Sequence, residues 1–220
     1  LSMGVGVVTG DANVALGYNS GSALTSGGSN VLIGKDAGDS LTTGSTNIAI
    51  GVDALQSEDG HGRNVAIGHA ALETLNAGAD GYNVAIGYTA GLSMTTGVQN
   101  TIIGGLAGDA LTTGSNNVAI GYRALSTEDA HGRNVAIGQD ALFAQNAGAN
   151  AFNIAIGFET GKAVTTGIYN TLIGGLAGDS LTTGNRNVAL GYRSLSAEDA
   201  HGFNTALGYG TLENLNAGTD

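Results

Sequence analysis

Residues 100–121 read Asn-Thr-Ile-Ile-Gly-Gly-Leu-Ala-Gly-Asp-Ala-Leu-Thr-Thr-Gly-Ser-Asn-Asn-Val-Ala-Ile-Gly, one complete repeat followed by the opening of the next. Asn100 and Asn117 each begin an Asn-x-x-(Ile/Leu)-Gly pentad, and the same pentad begins at Asn13, Asn30, Asn47, Asn64, Asn83, Asn134, Asn153, Asn170, Asn187 and Asn204. Successive pentads lie 17 residues apart, except for steps of 19 from Asn64 to Asn83 and from Asn134 to Asn153. A period this short is one turn of a solenoid rather than a domain. Segments 70 residues apart match better still: 100–114 and 170–184 differ only at Ile102/Leu172 and Ala110/Ser180. The chain therefore reads as an all-β, single-domain β-solenoid, a parallel β-roll of about twelve 17–19-residue coils. They fall into three four-coil super-repeats, 13–82, 83–152 and 153–220, with residues 1–12 as a partial coil.

Counting each motif Asn as position 1, positions 1–5 read as a short strand whose alternate residues face opposite ways. Positions 2 and 4 carry Val, Ile, Leu or Thr and are expected inside. Position 3 is usually Ala and is expected outside. Glycine at position 5 lets the chain turn a corner through positive φ, and stacked Asn side chains can bond neighbouring backbone. A second edge runs over positions 8–12, with an aliphatic at 12 such as Leu41, Leu111 or Leu181. The third and fourth coils exchange glycine at position 9 for Leu55, Leu72, Leu125, Leu142, Leu195 and Leu212, which redistributes inward volume.

Composition supports a thin, repetitive interior. The 220 residues include 39 glycines, no proline, cysteine or tryptophan, and only 5% aromatics, too few for a bulky globular core. Seven basic against 18 acidic residues give a net charge of −11, which disfavours nucleic acid as a partner. No run of about 18 apolar residues marks a membrane span, so no membrane insertion is expected. Without cysteine there is no disulfide or thiolate metal site. No secretory signal peptide is legible, and the ends, with Asp220 closing the last coil, point to a segment of a longer array or to end-to-end stacking.

Three surface features carry the functional expectations. The first is an uncharged small row at position 3, Ala49, Ala66, Ala85, Ile102, Ala119, Ala136, Ala155, Leu172 and Ala189, expected to be an oligomer face with Ile or Leu knobs. The second is an interrupted aromatic row at position 6, Tyr18, Tyr88, Tyr122, Tyr192 and Tyr209, which offers glycan stacking. The third is the turn Glu-Asp-x-His-Gly, once per super-repeat. Asp59 with His61, Asp129 with His131 and Asp199 with His201 are candidate metal ligands. A solvated turn in which His and Arg63 or Arg133 pair with nearby acids is the competing expectation. Copies four coils apart sit ~19 Å away and cannot share an ion. Threonine ranks such as Thr112-Thr113 raise ice binding, but Asp59-Gly60 and its equivalents interrupt them every ~10 Å. No nucleophile–base pair or phosphate loop is legible, so no enzyme and no cofactor is expected.

The Asn-Val-Ala-Ile-Gly runs at 64–68, 83–87, 117–121 and 134–138 resemble the head repeats of trimeric autotransporter adhesins. The stretch 112–121 is similar to bacteriophage tail-fibre repeats. This resemblance covers residues 13–220 and implies a β-roll that trimerises through one sheet, outside the cell, at a cell surface or on a virion, in attachment to a host glycan or protein. The period of 17 and 19 is longer than that of the adhesin coils. The function expected is a non-enzymatic structural or adhesive fibre segment. Alternatives are a self-assembling β-solenoid filament and a carbohydrate- or ice-binding solenoid.

Overall fold

The computed structural model describes residues 9–215, so the end at Asp220 and most of the partial coil at 1–12 lie outside the described residues. It contains twelve three-residue strands: β1 Val14–Leu16, β2 Val31–Ile33, β3 Ile48–Ile50, β4 Val65–Ile67, β5 Val84–Ile86, β6 Thr101–Ile103, β7 Val118–Ile120, β8 Val135–Ile137, β9 Ile154–Ile156, β10 Thr171–Ile173, β11 Val188–Leu190 and β12 Thr205–Leu207. They form one parallel sheet in chain order, and among the described residues there is no helix. Each position pairs with its equivalent one coil on, as in Ala49 with Ala66. Eleven strand spacings make a rod of roughly 53 Å.

The motif asparagine closes and stacks the coils. Its Oδ1 accepts the backbone N–H of the next motif asparagine, at every step from Asn13 to Asn204, over 2.8–3.2 Å. Its Nδ2 crosses the section to a carbonyl at position 15 of the same coil, as from Asn30 to Gly44 and from Asn117 to His131. The two 19-residue coils break this second pattern. Asn64 bonds Gly62 instead, and Asn134 Nδ2 has no hydrogen-bond partner. The corner glycine is obligatory at Gly51, where φ is 143° and a Cβ would lie 2.2 Å from the Gly68 oxygen.

The expected facing of the strands is reversed. Ala49, Ala66, Ala85, Ile102, Ala119, Ala136, Ala155, Leu172 and Ala189 are all fully buried in the core, so position 3 is not an oligomer face. Positions 2 and 4 are partly or fully exposed. The cause is the asparagine: to close its coil, position 1 must point inward, and a period of two then carries position 3 inward and positions 2 and 4 outward.

The inward knobs complement the glycines. A Cβ on Gly38 would lie 2.9 Å from Leu32 Cδ2, and one on Gly178 3.0 Å from Leu172 Cδ2. Where position 3 is Ala and no such knob intrudes, Leu55, Leu72, Leu125, Leu142 and Leu195 at position 9 are wholly buried. Volume is redistributed as the sequence suggests. These leucines hold φ between 47° and 56°, a left-handed conformation costing on the order of 1 kcal/mol, which burial of a leucine at ~2 kcal/mol offsets.

Candidate functional site

The exposed sheet face gathers the exposed large hydrophobic side chains. Among the described residues, every exposed large hydrophobic except Leu212 lies at position 2, 4 or 6 or at the residue just before the motif Asn. Val14, Leu16, Ile154, Val188, Leu190 and Leu207 mark the strand columns. The position-6 row runs along one side, with Tyr18, Tyr88, Tyr122, Tyr192 and Tyr209 between 46% and 80% exposed. Tyr192 and Tyr209 stack at 5.6 Å, and His69 stacks on Tyr88 at 5.4 Å.

A second row on the other side escaped the sequence reading. It consists of the residues immediately preceding each motif asparagine, and over five coils they form a continuous ladder. Arg133 lies over Phe152 at 5.4 Å, Phe152 stacks on Tyr169 at 5.5 Å, and Arg186 lies 5.4 Å from both Tyr169 and Phe203. The signal was present as Arg and aromatic residues recurring at the coil period, but without the strand facing it had no surface to belong to.

The threonine ranks are engaged internally. Thr25, Thr42, Thr95, Thr112, Thr165 and Thr182 each donate Oγ1–H to a carbonyl of the next coil, for example Thr112 to Asp129 at 2.7 Å. Hydroxyls directed along the rod axis do not form an outward water-ordering array.

The His-containing turn brings the expected Asp and His side chains together and sets each His against an acid, but it is not the solvated turn of the competing expectation, because its glutamate is buried. Glu58, Glu128 and Glu198 occupy position 12, the interior column that Leu24, Leu41, Leu75, Met94, Leu111, Val164 and Leu181 fill in other coils, and all three are fully buried. Backbone N–H groups compensate them: His61, His131 and His201 donate to Glu Oε1 at 3.0, 3.1 and 2.9 Å. Glu58 Oε2 accepts the N–H of Ala77 in the next coil at 3.2 Å. Nδ1 of His61, His131 and His201 faces the same Oε1 at 3.4, 3.3 and 3.0 Å. Burial pushes the Glu128 carboxyl up, against the lowering effect of the His131 N–H and imidazole. Asp59, Asp129 and Asp199 are exposed beside them, and in each turn one ligand atom from Glu, Asp and His lies within 4.8 Å of the others. Arg63 bonds Asp80, one coil on, rather than an acid of its own turn, and Arg133 lies over a ring.

Fold and surface together define a β-solenoid repeat protein with one apolar, aromatic-edged face. No protein family, curated protein or solved structure matches the chain.

Proposed function

We propose that the chain is a non-enzymatic fibre segment whose copies pack against one another through the outward Val/Ile face, serving in attachment outside the cell, at a cell surface or on a virion. The carrying observation is that face. The two strand columns span roughly 53 Å by 10 Å, on the order of 500 Å², and the flanking rows, in which Arg, Lys and Gln alternate with the aromatics, widen the face to about 1,000 Å² per copy. Monomeric soluble proteins rarely expose an apolar patch beyond about 300–600 Å², and a stable interface covers about 800 Å² per partner. A copy of the same chain fits best, because only a surface repeating every ~4.8 Å meets this one at each rung.

Sedimentation equilibrium tests this reading. The expected result is a closed oligomer, a trimer in keeping with the adhesin resemblance. Open-ended polymers would favour the filament, and a monomer at high protein concentration would overturn both. The exposed tyrosine row favours a second reading, glycan stacking, for which a glycan array is the test.

A further inference from the structure

We propose that each Glu-Asp-x-His turn is a binding site for a divalent transition metal of the zinc class, giving three sites per chain. The ligands are Glu58, Asp59 and His61 in the first, Glu128, Asp129 and His131 in the second, and Glu198, Asp199 and His201 in the third. These turns lie at positions 12–15, off the apolar face, so the proposal is independent of assembly.

Two separate observations support it. The first is the convergence of one imidazole and two carboxylates within 4.8 Å, three times over. The second is a set of buried polar atoms left without a hydrogen bond. Glu128 is wholly buried in a column of aliphatic side chains, and its Oε2 closes no hydrogen bond of good geometry, with only the Ala147 backbone N–H approaching the carboxyl from the next coil. His61 Nδ1 and His131 Nδ1 are likewise buried and make no hydrogen bond, although each faces a glutamate oxygen at 3.4 and 3.3 Å. A buried group of this kind costs about 1–3 kcal/mol unless something satisfies it.

The His–Glu separation of each turn suits an ion, and the exposed Asp, its ligand atom within 4.8 Å of the other two, would close in on binding. Zinc bonds of about 2.0–2.2 Å to nitrogen and oxygen, at the tetrahedral angle, place neighbouring ligand atoms roughly 3.4 Å apart. At the third turn the two atoms have closed to a 3.0 Å hydrogen bond, the arrangement of a proton-sharing pair that an ion would open by a few tenths of an ångström. The donor set narrows the metal. One imidazole and two carboxylates, without thiolate, match zinc and its neighbours rather than Cu(I), and three protein ligands are too few for the six to eight oxygens of Ca²⁺. Imidazoles a quarter to a third exposed and exposed Asp carboxylates leave an approach from solvent and a fourth position for water.

The test uses the untagged full chain stripped with EDTA and titrated with Zn²⁺ and, separately, Co²⁺. Equilibrium dialysis should approach three ions per chain, the melting temperature should rise, and Co²⁺ should develop the visible absorption of a four-coordinate site. His131→Ala should remove one ion, and His61→Ala/His131→Ala/His201→Ala should remove all three, with His69 retained as a control. The exposed-site variants Asp59→Asn, Asp129→Asn and Asp199→Asn guard against misfolding and should weaken binding by at least about tenfold, as even outer-shell losses do. Fewer than one ion per chain at millimolar Zn²⁺ would overturn the proposal. So would a stoichiometry indifferent to the histidines, with the pairs then acting only as hydrogen-bonded cross-links.

Discussion

Glu128 shows how one residue can carry a conflict that the repeat tolerates. Its column is aliphatic, its carboxylate is buried, and its compensation comes from the His131 backbone N–H, with the imidazole facing the same oxygen at 3.3 Å. Burial raises its carboxyl above the ordinary 4.5. Between that value and the raised one, the folded chain keeps a proton that the unfolded chain has released. Stability associated with this group is therefore present at low pH and lost as pH climbs through the raised value. Gln145 supplies a neutral isostere at the same position one coil later, fully buried and bonded to Asn153 and Thr165. In metal-free protein, Glu128→Gln should melt above the wild type at pH 7, with the gap narrowing as pH falls toward the ordinary 4.5. Calorimetry at several pH values checks this, and a variant that melts lower by a constant amount would contradict it.

At the scale of the coil, the knob and the glycine are alternatives for one volume. Leu32→Ala should cost about 2–5 kcal/mol by opening a cavity. Adding Gly38→Leu should recover much of that, because it recreates the Ala49 and Leu55 arrangement already present one coil on. Denaturant unfolding of the two singles and the double measures the coupling; Gly38→Leu alone, with Leu32 in place, should destabilise. The swap of glycine for leucine at position 9 was legible in the sequence, as were the period, the corner glycine and the asparagine ladder, because each is a residue type fixed at one position; the knob that balances it was not, since Leu32 was expected on the outside. The facing of the strand was misread. An alternation of period two offers two phases, and hydrophobicity favours the wrong one, since Val118 and Ile120 are more apolar than Ala119. The phase is set by Asn117, which must point inward to reach the His131 carbonyl. Glu58 was similarly hidden: read as part of a charged turn it looks solvated, whereas counted from Asn47 it falls in the column of Leu41 and Leu75.

For the whole molecule, the same adjacent pair separates folding from assembly. Ala119 is sealed inside β7, while Ile120 stands on the outward face near the middle of the rod. Ala119→Asp would bury an unpaired carboxylate in a closed section, at a cost of several kcal/mol, and should unfold the central coils. Ile120→Asp places its charge on the surface of the isolated chain, so the solenoid should still form with a similar circular dichroism spectrum. Within an assembly, however, that charge would face another copy in a water-excluded seam, repeated once per chain. Sedimentation of Ile120→Asp should therefore show folded monomer at concentrations where the unaltered chain is oligomeric. A net charge of −11 adds a salt dependence, since side-by-side rods repel one another at low ionic strength. Raising salt from about 10 to 150 mM shortens the screening length from about 30 to 8 Å and should strengthen association of the unaltered chain. If Ile120→Asp assembles as well as the unaltered chain, the Val/Ile face is not the seam.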